Sequence, residues 1–169
     1  MEKEDYTRRY ITTALFKLMS SNDFSEISVS DIARKAGVGR ATFYRHFKHK
    51  EDIIANYFAT TTEEFTAEMK FKPRYDEDYR DMVRSIFEAF KKSKETIKLL
   101  KKANLENIYL DSITEMIVKD SSSRLGVYGK LTAVGIAGAL YNISMDWLKD
   151  DCRESIDDLV KALSAISHL

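Results

Sequence analysis

Along most of the chain, apolar residues return at intervals of three and four, the spacing that gathers them on one face of an α-helix. Tyr6, Tyr10, Ile11, Ala14, Leu15, Leu18 and Met19 form such a stripe and predict a first helix over 4–21. Val29, Ile32 and Ala33 mark a shorter helix that opens at Ser28, and Ala41, Phe43 and Phe47 give the inward side of a third, 40–46. The pattern resumes at Lys50 with Ile53, Ile54, Tyr57, Phe58, Phe65 and Met69, and Phe71-Lys72-Pro73-Arg74 breaks it. Tyr79, Met82, Val83, Ile86, Phe87 and Phe90 predict a fifth helix. Ile108, Tyr109, Ile113, Met116 and Ile117 predict another over 105–118, and Lys119-Asp120-Ser121-Ser122-Ser123 reads as a loop. Two more helices are expected, 127–149 and 155–167, the second capped by Ser155. No stretch alternates with the period of a strand, so the fold class is all-α.

Local chemistry singles out Ile27–Phe47. Ser28 and Asp31 have the spacing of a capping box, in which hydroxyl and carboxylate satisfy each other's free backbone N–H. Gly37 follows Lys35 where a helix stops on a left-handed residue. Asn22 is expected to end the first helix in the same left-handed way. The third helix then crowds Arg40, Thr42, Tyr44, Arg45 and His46 into two turns, an outward face suited to phosphates and base edges.

The net charge is zero, which argues against nucleic acid until its distribution is read. Residues 1–50 carry ten Lys or Arg against six Asp or Glu, and the remainder seventeen against twenty-one. A basic head on an acidic body is the asymmetry expected when one end meets DNA. Lys91, Lys92, Lys94, Lys98, Lys101 and Lys102 form a basic amphipathic segment, which reads as a solvated face before an anion-binding one. No apolar run reaches membrane-spanning length and MEKEDYTRRY has no signal-peptide core, so no membrane partner is expected. Cys152 is the only cysteine, which fits a reducing cytoplasm. No catalytic constellation, phosphate loop or cofactor motif emerges, and His46 and His49 lack a third metal ligand, so neither an enzyme nor a metal or cofactor site is expected.

The helix-turn-helix resembles that of the TetR family of bacterial transcriptional regulators. The residues that carry the resemblance are Ile32-Ala33, Ala36-Gly37-Val38, Thr42, Phe43-Tyr44, His46-Phe47 and Lys50-Glu51-Asp52-Ile53-Ile54. Gly39 stands where the family usually has Ser. The resemblance implies a three-helix DNA-binding domain, 1–49, and a helical regulatory and dimerisation domain, 50–169. It implies a homodimer on a palindromic operator in double-stranded DNA, contacted through Ser28, Arg40, Ala41, Thr42, Tyr44, Arg45, His46 and Lys50. It further implies a ligand-responsive repressor with a small apolar or aromatic effector. Tyr57, Phe58, Phe65, Phe87, Phe90, Tyr109, Met116 and Trp147 are the candidate pocket, although aromatic stripes serve any helical core equally. Gly135 and Gly138 within the penultimate helix call for a close neighbour, and Val134, Gly138, Tyr141, Met145, Leu159 and Leu163 are the candidate dimer interface. The alternative within the same fold is a co-activator or adaptor whose body binds a protein.

Overall fold

The computed structural model describes residues 2–68 and 76–167, and side chains within 6–67, 79–119 and 129–166. In chain order they form α1 (Glu2–Met19), a single 3-10 turn (Phe24–Glu26), α2 (Val29–Ala36), α3 (Arg40–His46), α4 (Lys50–Glu68), α5 (Asp76–Lys92), α6 (Lys94–Lys102), α7 (Asn107–Lys149) and α8 (Ile156–Ser167). No strand occurs among the described residues, so the chain is all-α as the periodicity requires. The expected break at 71–74 lies outside the described residues.

The first three helices close over Ile11, Ala14, Leu15, Met19, Ile27, Ile32, Ala33, Phe43 and Phe47, all buried. Tyr6 and Tyr10 depart from expectation: they are 56% and 62% exposed, because they lie round the helix from the face that buries Ile11 and Leu15. Asn22 also ends α1 by another device. Its backbone is not left-handed; its side-chain amide donates to the Leu18 carbonyl at 2.9 Å. The core continues without interruption into α4 through Ile53, Ile54 and Phe58, and from there into the body. There α4 packs on α7, and α5 on α8.

Helix α7 is one element by backbone hydrogen bonding, 43 residues long. From Tyr109 to Tyr141 a straight helix would advance about 48 Å. Their ring centroids are nevertheless 6.5 Å apart, and Phe90 touches both Tyr109 and Trp147. The two ends of α7 therefore lie side by side, antiparallel. The two separate helices expected from the sequence correspond to these two limbs, and the loop expected at 119–123 runs into residues 120–128, outside the fully described ones. Helix α8 begins as its sequence requires, with Ser155 Oγ accepting from the Asp158 N–H at 3.2 Å.

Candidate nucleic-acid interface

The turn between α2 and α3 is fixed at both ends. At the start of α2, Ser28 Oγ accepts from the Asp31 N–H at 3.1 Å while an Asp31 carboxylate oxygen accepts from the Ser28 N–H at 3.2 Å. The Ser28 hydroxyl, then its N–H, and more weakly Arg34, hold the Asp31 carboxyl below its ordinary pKa of 3.8. At the end of α2, Gly37 takes φ 69°, which only glycine adopts freely. The Gly37 and Val38 N–H groups then donate back to Arg34 and Ala33, closing the carbonyl end of the helix. Gly39 opens α3 from extended backbone with no side-chain cap, and a Cβ there would meet nothing within 4 Å.

This turn aims α3 outward. Phe43 is buried, with Tyr44 edge-on against it at 5.4 Å and Phe47 behind it at 6.1 Å. Arg40, Ala41, Tyr44 and Arg45 are exposed on the opposite side, and Thr42 and His46 are half-buried at its margins. The structure thus brings six of the eight expected DNA-contact residues onto or beside one short surface. Ser28 is also exposed, its hydroxyl held in the capping box. Lys48, absent from the expected set, is exposed immediately beyond α3. Its position four residues after Tyr44 was the available signal.

Lys50 behaves differently. Its ammonium points back into the head, donating to the carbonyls of Phe24 at 2.5 Å and Ile27 at 2.9 Å, and lies 4.3 Å from the Phe24 ring centroid. These carbonyls belong to the 3-10 turn and its exit, so Lys50 ties that turn to the first residue of α4. Asp52 completes the junction by accepting from the Lys48 and His49 N–H groups at 3.0 and 2.8 Å. The body touches the same region: Lys102 at the end of α6 pairs with Asp23 at 3.1 Å, across an exposed surface.

In the body, six of the eight expected pocket residues join one chain of ring contacts. Tyr57 meets Phe58 at 5.1 Å, Phe58 meets Tyr109 at 5.5 Å, Tyr109 meets Phe90 at 5.6 Å, and Trp147 meets Phe90 and Phe87 at 6.1 and 6.0 Å. Phe65 and Met116 pack half-buried against the core without joining the chain of rings. Phe16 of α1 extends that chain into the head, 5.0 Å from Tyr57. Burial drives the Tyr109 phenol far above its usual pKa. Tyr141, expected at a dimer interface, joins the aromatic cluster through Tyr109.

The other expected interface residues divide. Met145, Leu159 and Leu163 are buried within the chain's own core at 9%, 7% and 6% exposure, because the inward stripes of α7 and α8 meet α5 and each other. Val134 is 45% exposed and Gly138 half-buried. Leu131 and Ile166, outside the expected interface set, are 65% and 50% exposed. A Cβ at Gly135 or Gly138 would meet nothing within 4 Å, so the described residues supply no close neighbour for either glycine.

Comparison with known proteins fits this geometry. Residues 11–57 match the model of the N-terminal domain of bacterial regulatory proteins of the tetR family. A dhaKLM operon transcriptional activator, DhaS, of Lactococcus lactis is 40% identical over 58 residues, which are 34% of this chain and 31% of that protein. The chain thus spans about a third of the length of that curated relative. Lin0861 of Listeria innocua superposes with a TM-score of 0.80 at 20% identity, over 99% of this chain and 92% of that one. FadR of Bacillus subtilis, in complex with stearoyl-CoA, gives 0.59 at 22% identity over 92% and 94%. At such identities these two likenesses concern the fold alone. By residues 11–57 the chain carries the helix-turn-helix domain of the tetR family of bacterial regulatory proteins, and the relatives it matches there are transcriptional regulators.

Proposed function

We propose that the chain is a sequence-specific, DNA-binding transcriptional regulator that acts as a homodimer on a palindromic operator. The observation that carries this reading is the outward face of α3, held in place by the capping box, Gly37 and the Lys50 tie. Arg40, Thr42 and Tyr44 read base edges, with Ala41 in contact distance of a thymine methyl. Arg45, His46, Ser28 and Lys48 position the head on phosphates. Lys50 serves this contact from behind, since its ammonium already satisfies two carbonyls. The second copy of the chain covers exposed Leu131 and Val134 beside the open Gly135 and Gly138 on α7, together with exposed Ile166 on α8. A two-fold axis there matches the symmetry of a palindrome.

Residues 1–49 supply the output and 50–169 the input, a small apolar or aromatic effector received beside the aromatic cluster. Effector binding shifts the two heads and releases the operator, as in a repressor. Activation is the second reading, favoured by the DhaS relative of the head. Selection of bound fragments from a random DNA pool tests the core of the proposal. A two-fold consensus, with half-sites about one helical turn or a little more apart, is expected. Enrichment of no sequence would overturn it.

A further inference from the structure

Two polar oxygens in the body have no hydrogen-bond partner: Ser144 Oγ and Glu106 Oε2. Ser144 is completely buried and is the only buried polar residue among those described. Its neighbours in kind behave otherwise. Ser85, Thr114 and Ser164 each donate to the carbonyl four residues earlier, the usual resting place for a helical hydroxyl. An oxygen left unsatisfied inside a core is costly and calls for an occupant.

The two oxygens also belong to one place. In the antiparallel limbs of α7, Tyr109 faces Tyr141. One turn back along the first limb is Glu106, and one turn forward along the second is Ser144. Glu106 and Ser144 are therefore opposite each other. The Glu106 charge acts on Tyr141, whose phenol is raised above its ordinary pKa first by burial and then by that carboxylate. Tyr109 and Tyr141, one turn from each of them, belong to the ring cluster that also holds Phe90 and Trp147. Lys91 lies over the Trp147 ring at 5.7 Å, which leaves the Glu106 end of the cluster as the place for a further positive charge.

Resting on the reading of the body as the input, we propose that Glu106 and Ser144 form the polar floor of an effector site for an aromatic or aliphatic amine in its ammonium form. The carboxylate takes the charge, Ser144 Oγ accepts a second N–H, and the aromatic rings hold the apolar body and the cation's flank. An anionic effector would meet the like charge of Glu106, and a purely apolar one would leave both oxygens unmatched.

Trp147 is the chain's only tryptophan, so its emission reports on this site alone. The full chain is titrated, without DNA, with 2-phenylethylammonium, 2-phenylethanol and 3-phenylpropanoate, which share a ring and differ in charge. The cation should bind about tenfold tighter than the alcohol, with the anion weakest. Glu106→Gln should bring the cation down to the alcohol's affinity, and Ser144→Ala should weaken both. With no probe bound, Ser144→Ala should melt at the same temperature or higher, because it removes an unsatisfied oxygen. The proposal is overturned if no probe changes the emission, if Glu106→Gln keeps the preference for the cation, or if Ser144→Ala lowers the melting temperature. The last result would mean that a bound water already satisfies the hydroxyl. Because the titration contains no DNA, its failure leaves the DNA-binding reading intact, and a failed fragment selection leaves the site intact.

Discussion

Basic residues near α3 divide by what their charges already touch. The Arg40 and Arg45 side chains are exposed on the outward face, whereas the Lys50 ammonium is turned onto the Phe24 and Ile27 carbonyls. A charge that meets phosphate releases counterions on binding; one that stays on its own backbone does not. Arg45→Ala should therefore lower the salt slope of DNA affinity by about 1. Lys50→Ala should leave that slope alone and destabilise the fold by about 2 kcal/mol, read from chemical denaturation. A lowered slope in the Lys50 variant would return that residue to the phosphate contacts. Arg40→Ala should cost about 1–3 kcal/mol and relax preference at one base position in competition binding. Equal loss on all sequences would remove its base-reading role. Gly39 offers a gain instead. It starts α3 in extended backbone with open space around it, so Gly39→Ser can cap the helix without a clash. The expected stabilisation is a few tenths of a kcal/mol, measured as a raised denaturation midpoint.

Single elements were legible where local chemistry and periodicity agree. The capping box at Ser28, the left-handed Gly37 and the outward polar face of α3 follow from residues within one or two turns of each other, so one sequence suffices to find them. Partnerships across the fold were not legible. Tyr109 and Tyr141 are far apart in sequence and meet only because α7 doubles back. The carbonyls that bind Lys50 are more than twenty residues upstream and carry no signal in side-chain identity. Burial alone separates Leu159 and Leu163, which face inward, from Ile166, which does not, since all three are apolar at helical spacing. Sequence assigns a face to such residues only once the neighbouring helix is placed. The interface prediction moves accordingly. Leu131 and Val134, one turn apart on the exposed side of α7, are the residues to charge. The double variant Leu131→Glu, Val134→Glu should be monomeric by light scattering with its helical circular dichroism unchanged, because neither side chain fills the core. A dimer that persists would place the two-fold axis elsewhere.

For the whole molecule the question is whether an event in the body is felt in the head. A hinged pair of independent domains would need a break in the packing at their junction, and the junction has none. Phe16 of α1 touches Tyr57 of α4, Phe58 of α4 touches Tyr109 of α7, and Thr62 shares a hydrogen bond of 2.8 Å with Ser112. Helix α4 starts on Lys50, which holds the head's own turn, and packs on α7 in the body, so one helix spans both. Small apolar-cored units of this size unfold together when one core runs through them. Leu140→Ala, at a fully buried position in α7, should then remove about 2–5 kcal/mol of stability. Amide hydrogen exchange is the measurement that decides how far this loss travels. In one cooperative unit the protection of the Ile32 and Phe43 amides, in the head, falls by as much as that of amides beside Leu140. Were the head an independent unit, those two amides would keep their protection while the body lost its own. The shared loss would mean that a change of free energy in the body reaches the head without a flexible link, the physical requirement for α4 to act as a lever on α3.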